Sequence, residues 1–103
     1  MLSFVETKLF SRLLGDYLTD DEYALLQSAL VETPERGALV PGSGGVRKLR
    51  WAQAGRGKRG GIRVIYYAKT REGVIWMLTI YAKNEEENIP AHVLRKIKEE
   101  FDG

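Results

Sequence analysis

The chain changes its apolar rhythm twice, and each change marks a boundary between kinds of structure. After a short extended stretch, Leu2 to Val5, the residues Phe10, Leu13, Leu14 and Tyr17 recur at helical spacing and predict a first amphipathic helix. Thr19-Asp20-Asp21-Glu22 has the arrangement of a capping box, in which the threonine hydroxyl and the glutamate carboxylate each satisfy a free backbone amide, so a second helix starts there. Its apolar positions are Tyr23, Leu26, Ala29 and Leu30, and it should stop near Thr33-Pro34, because proline disfavours helical geometry in the residue before it.

From Gly37 the period shortens to two. The turn formers Pro41 to Gly45 lead into a strand over residues 46–52, where Lys48 and Arg50 point one way and Leu49 and Trp51 the other. A glycine- and base-rich hairpin loop over residues 54–61 joins it to a second strand over residues 62–68, β-branched and aromatic, with Arg63 set inside it. A third strand, Val74 to Tyr81, is apolar on both faces and reads as covered on both sides. Helical spacing returns after Pro90 through Val93, Leu94, Ile97 and Phe101. The expected fold is α+β: a mainly antiparallel four-stranded sheet, two N-terminal helices and one C-terminal helix, in a single domain over residues 1–103. No internal repeat or long linker divides it.

Composition narrows the function. With 103 residues, 44% apolar and 29% charged, the chain suits one globular unit, and no stretch is apolar enough for a membrane span. The N-terminal residues lack the basic region and apolar run of a signal peptide, so a cytoplasmic protein is expected. Cysteine is absent and there is one histidine, His92, which excludes thiolate chemistry and leaves no metal-ligand spacing; neither metal nor cofactor is expected. The glycine-rich loop lacks the spacing of a phosphate-binding P-loop and precedes a strand instead of a helix. Paired carboxylates are missing from the strands.

The charge is strongly segregated. Residues 1–35 carry seven acids and two bases, residues 36–71 ten bases and no acid, and residues 72–103 seven acids and four bases. A basic block without counter-charge implies a polyanionic partner. Lys48 and Arg50 share a face, Arg63 comes from the neighbouring strand and Lys83 from the end of the next, so the four form a candidate phosphate site if the strands pair in order. Lys58 and Arg59 would extend over its rim, and Tyr66, Tyr67 and Tyr81 offer faces for unstacked bases.

The runs Gly44-Gly45-Val46-Arg47-Lys48-Leu49-Arg50, Gly57-Lys58-Arg59-Gly60-Gly61-Ile62-Arg63-Val64-Ile65-Tyr66-Tyr67 and Leu78-Thr79-Ile80-Tyr81-Ala82-Lys83-Asn84-Glu85 resemble, in order, the HigB branch of the RelE/ParE toxin superfamily. The leading helices and the closing helix suit that family as well. The resemblance implies a toxin of a bacterial toxin–antitoxin pair that cleaves messenger RNA in the ribosomal decoding site and is silenced by a helix-turn-helix antitoxin. By the same resemblance Lys48, Arg50, Arg63 and Lys83 are the candidate catalytic residues, with Arg63 stabilising the charge of the reaction and Lys48, crowded by arginines, a candidate general base. Arg47, Arg56, Lys58, Arg59, Tyr67 and Tyr81 are candidate RNA-binding residues. Many relatives carry a tyrosine or histidine in the final segment, and here no tyrosine follows Tyr81. Two alternatives share the fold: a ParE-like toxin acting on DNA gyrase, and a catalytically silent RNA- or ribosome-binding module.

Overall fold

The computed structural model describes residues 2–52, 61–83 and 89–102. In chain order the elements are β1 (Ser3–Glu6), α1 (Lys8–Tyr17), α2 (Asp20–Glu32), β2 (Ala38–Leu39), β3 (Arg47–Trp51), β4 (Ile62–Lys69), β5 (Val74–Ala82) and α3 (Ala91–Asp102). The five strands form one sheet in the order β1-β5-β4-β3-β2. The fold class is the expected α+β, with two additions. The sheet gains a two-residue edge strand, β2, and it is mixed, because β1 runs parallel to β5. A parallel pair needs a crossover, and α1 with α2 and the rest of the sheet supplies it.

The helix boundaries follow from local chemistry. The Thr7 hydroxyl accepts the Phe10 amide at 2.9 Å, which caps α1, and donates to the Leu78 carbonyl of β5 at 2.8 Å, which anchors that cap to the sheet. At α2 the capping box is complete: the Glu22 amide donates to Thr19 Oγ1 at 3.1 Å and the Thr19 amide to Glu22 Oε1 at 2.8 Å. The helix ends at Thr33, before Pro34, as the restriction imposed by proline requires. Pro90 stands just outside α3 and its carbonyl accepts the amides of Val93 and Leu94.

Two apolar layers sandwich the sheet. On one face Phe10, Leu18, Leu26 and Leu30 of the N-terminal half pack with Leu49, Ile62, Val64, Tyr66, Ile75, Met77 and Ile80. On the other, Leu94 of α3 packs with Val46, Ile65, Leu78 and Tyr81. The strand alternation therefore divides β3 and β4 cleanly between the two layers. Between the pairs Ile65↔Thr79 and Tyr66↔Met77 the register changes by one, leaving Leu78 as the extra residue of a bulge; its side chain joins the α3 layer.

Candidate nucleic-acid interface

β3, β4 and β5 are antiparallel, and their register sets the site. Arg50 lies directly across from Arg63, and Arg63 directly across from Tyr81. Residues opposed in this way point to the same face with Cβ atoms about 5 Å apart. Lys48, two residues before Arg50 and opposite Ile65, shares that face. The sheet thus brings together three of the sequence-predicted cations, Lys48, Arg50 and Arg63, with Tyr81 completing the row.

Their environments differ. Arg63 is only 6% exposed, and its Nη1 donates to the Ile62 carbonyl at 3.4 Å. Tyr81 is 7% exposed, whereas Arg50 is open to solvent and Lys48 half-buried. Two arginines on adjacent strands, one buried and one open to solvent, thus set two forked donors side by side. Lys83 is exposed just beyond β5, and its amide donates to the Gly61 carbonyl at the start of β4. That places its backbone one step past the Ile62↔Ala82 pair, at the same end of the sheet as Arg50 and Arg63.

Other predicted residues lie elsewhere. Arg47 belongs to the opposite face with Tyr66, and its Nη1 donates to the carbonyls of Gly37 at 2.8 Å and Glu35 at 3.3 Å. It binds the loop between α2 and β2. Tyr67 sits four residues along β4 from Arg63, roughly 13 Å at the rise of a strand, and Lys98 Nζ covers its ring 4.7 Å from the centroid. Arg56, Lys58 and Arg59 lie outside the described residues.

A residue not singled out by sequence joins the cluster. Arg36, the first base of the basic block, lines an open depression of about 430 Å³ with Ala38, Lys48, Leu49 and Arg50, and its guanidinium carbon stands over the Trp51 ring 5.8 Å from the centroid. Its place at the start of the acid-free segment was the only signal in the sequence. The remaining chemistry is sparse. Among the described residues no group of histidine, cysteine and carboxylate side chains could hold a metal ion, and no helix is long and apolar enough to cross a membrane.

The protein is a small α+β fold with helices over both faces of one mixed sheet and cations aligned across its antiparallel strands. The chain belongs to the RelE toxin family, the toxins of RelE/RelB toxin–antitoxin systems, which it matches over residues 5–100. Among solved structures it is similar to a double arginine-to-alanine mutant of the E. coli toxin RelE in the free state, with a TM-score of 0.53 and 17% sequence identity over 84% of this chain and 87% of that one. At that identity the likeness concerns the fold. Membership makes the protein a toxin of a toxin–antitoxin system, with an antitoxin as its partner.

Proposed function

We propose that the chain is a ribosome-dependent endoribonuclease that cleaves messenger RNA without a metal, by attack of a ribose 2′-hydroxyl on the adjacent phosphate. The observation that carries this reading is the alignment of Arg50, Arg63 and Tyr81 across three strands with Lys48 alongside. The reaction removes the proton of the 2′-hydroxyl, forms a bond from that oxygen to phosphorus, and passes through a five-coordinate phosphorane with one additional negative charge. Breaking the bond to the 5′-oxygen, which takes up a proton, leaves a 2′,3′-cyclic phosphate and a 5′-hydroxyl. Arg50 and Arg63 are the groups to hold the non-bridging oxygens, since forked donors meet two phosphate oxygens at once. Lys48 is the proton carrier at the nucleophile, and Lys83 steadies the strand beyond the scissile bond. Each cation aimed at charge that exists only in the transition state contributes roughly 3 kcal/mol, about a hundredfold in rate. The messenger is held by the ribosome, so the site has only to complete the geometry.

Within the family the three strand motifs support the HigB branch, and with it an antitoxin carrying a helix-turn-helix domain. The absence of acids from residues 36–71 supports an acidic antitoxin segment facing this part of the chain. Induction in growing bacteria followed by primer extension tests the reading: new transcript ends within translated codons are expected, and are expected to vanish in Arg63→Ala. DNA breakage in place of cleaved transcripts would assign the chain to gyrase poisoning, and intact transcripts on stalled ribosomes would reduce it to a binding module.

A further inference from the structure

The sheet has an unfinished edge beside the cation row. β2 pairs with β3 only through Ala38↔Lys48 and Leu39↔Arg47, and the same register continued by two residues would set Arg36 against Arg50. The chain does not continue there. A Cβ on Gly37 would lie 2.9 Å from the Tyr66 ring and 3.1 Å from the Lys48 carbonyl, so only glycine lets the backbone pass this close before turning out of the sheet. The loop that leaves is tied down at several points. The Tyr66 hydroxyl donates to the Pro34 carbonyl and accepts the Gly37 amide, the Arg36 amide donates to the Thr33 carbonyl, and Arg47 holds the carbonyls of Glu35 and Gly37. An exposed arginine is thus presented from a fixed loop, its guanidinium carbon 5.8 Å from the centroid of the Trp51 ring.

We infer that Arg36, braced on Trp51, is a stacking platform for an RNA base flanking the phosphate held by Lys48 and Arg50. This rests on the nuclease reading above and adds a recognition subsite to it. A guanidinium is planar and has two faces; with Trp51 beneath one, the other is a flat cation on which an unstacked base can lie. The depression opens between Arg36 and the two strand cations, and its volume of about 430 Å³ falls within the range of small-ligand sites. Trp51 shares the face of Leu49 and Arg47, opposite Lys48 and Arg50, so the depression spans the open edge of β3, with the phosphate meeting the strand cations on one side and the base meeting Arg36 on the other, through a surface that lysine cannot reproduce. Arg47, on the same face of β3 as Trp51, becomes a positioning residue that steadies the loop carrying Arg36.

The test uses a 2′-O-methyl RNA hexamer, which has no nucleophilic hydroxyl and cannot be cleaved, and six copies of it that each lack one base. Binding is followed by tryptophan fluorescence at low salt. With the unmodified chain, removal of the base at one position should weaken binding about tenfold, the size of a single lost base stack. In Arg36→Ala that same removal should cost nothing further, and Arg36→Lys should behave like Arg36→Ala although it keeps the charge. Arg36 is exposed, and thermal melting verifies that both variants stay folded. Arg36→Lys binding as tightly as the unmodified chain, or every abasic position weakening the variants as it weakens the unmodified chain, overturns the platform. So does a hexamer that does not bind while a decaglutamate peptide binds in an Arg36-dependent way, since the edge would then be a strand-docking site for an acidic peptide. Primer extension on translating ribosomes is read in parallel. Cleavage without base coupling at Arg36 sinks the platform alone, and base coupling without cleavage by the unmodified chain sinks the nuclease reading alone.

Discussion

Replacing Arg63 by methionine separates what this side chain does for catalysis from what it does for the fold. Methionine keeps an unbranched stem of similar reach and removes the charge. Arg63 is 6% exposed and stands directly across from Arg50, so the native sheet confines two like charges on neighbouring strands, an arrangement that is destabilising in itself. Relief of that repulsion offsets the loss of the hydrogen bond from Nη1 to the Ile62 carbonyl. The melting temperature of Arg63→Met should therefore hold or rise, by up to about 5 °C for 1 kcal/mol in a chain of this size. Activity should move the other way. Loss of one fixed cation at a developing oxyanion costs about 3 to 4 kcal/mol, or between a hundredfold and a thousandfold in rate. The assay is primer extension on ribosomes programmed with a defined message, alongside calorimetric melting of the same preparation. A variant that melts at the native temperature and cleaves at the native rate refutes the role given to Arg63. A variant that melts far below it refutes the view that this charge is retained for function at the expense of stability.

Lys48→Arg keeps a cation on the strand but not a group that readily exchanges a proton, so it should bind the uncleavable hexamer nearly as well as the unmodified chain while cleaving at least tenfold more slowly; equal rates in the ribosome assay would remove Lys48 from the proton transfer. Tyr66→Phe deletes the hydroxyl that joins Pro34 and Gly37 and leaves the Gly37 amide without that acceptor, which should lower stability by about 1 to 3 kcal/mol in urea titration. Thr7→Val removes both the α1 cap and its bond to the Leu78 carbonyl, and about 1 to 2 kcal/mol should be lost in the same titration. Burial raises the Tyr66 phenol above its ordinary value of 10.0, opposed in part by the Gly37 amide, and burial followed by the hydrogen bond and charge of Glu6 raises Tyr23 as well. Both phenols hold their protons more tightly folded than unfolded, so their contribution is complete below pH 10 and declines above it, by up to about 1.4 kcal/mol per pH unit for each. The decline measured between pH 10 and 11 should flatten in a Tyr23→Phe, Tyr66→Phe double variant, and an unchanged slope would contradict the assignment.

Local patterning was enough for much of this protein. The capping box at Thr19, the stop before Pro34 and the alternation that puts Lys48 and Arg50 on one face depend on neighbours a few residues apart, and the structure has them where the pattern predicts. The acid-free block from Arg36 to Arg71 likewise pointed to a polyanion without any coordinates. The parallel pairing of β1 with β5 was not legible, because the polarity of a pair between residues some seventy positions apart leaves no periodic trace in either strand. For the same reason alternation assigns a residue to a face but not to a register. Only the assembled sheet decided that Arg50, Arg63 and Tyr81 stand in one row, that Tyr67 lies beneath Lys98 and away from them, and that Arg47 turns to hold a loop. Only the early end of β2, enforced by the crowding at Gly37, brought Arg36 over Trp51 and left a cavity beside the cations. What the sequence determined on its own was which residues carry charge and which way each strand turns them; the distances between them came from long-range packing.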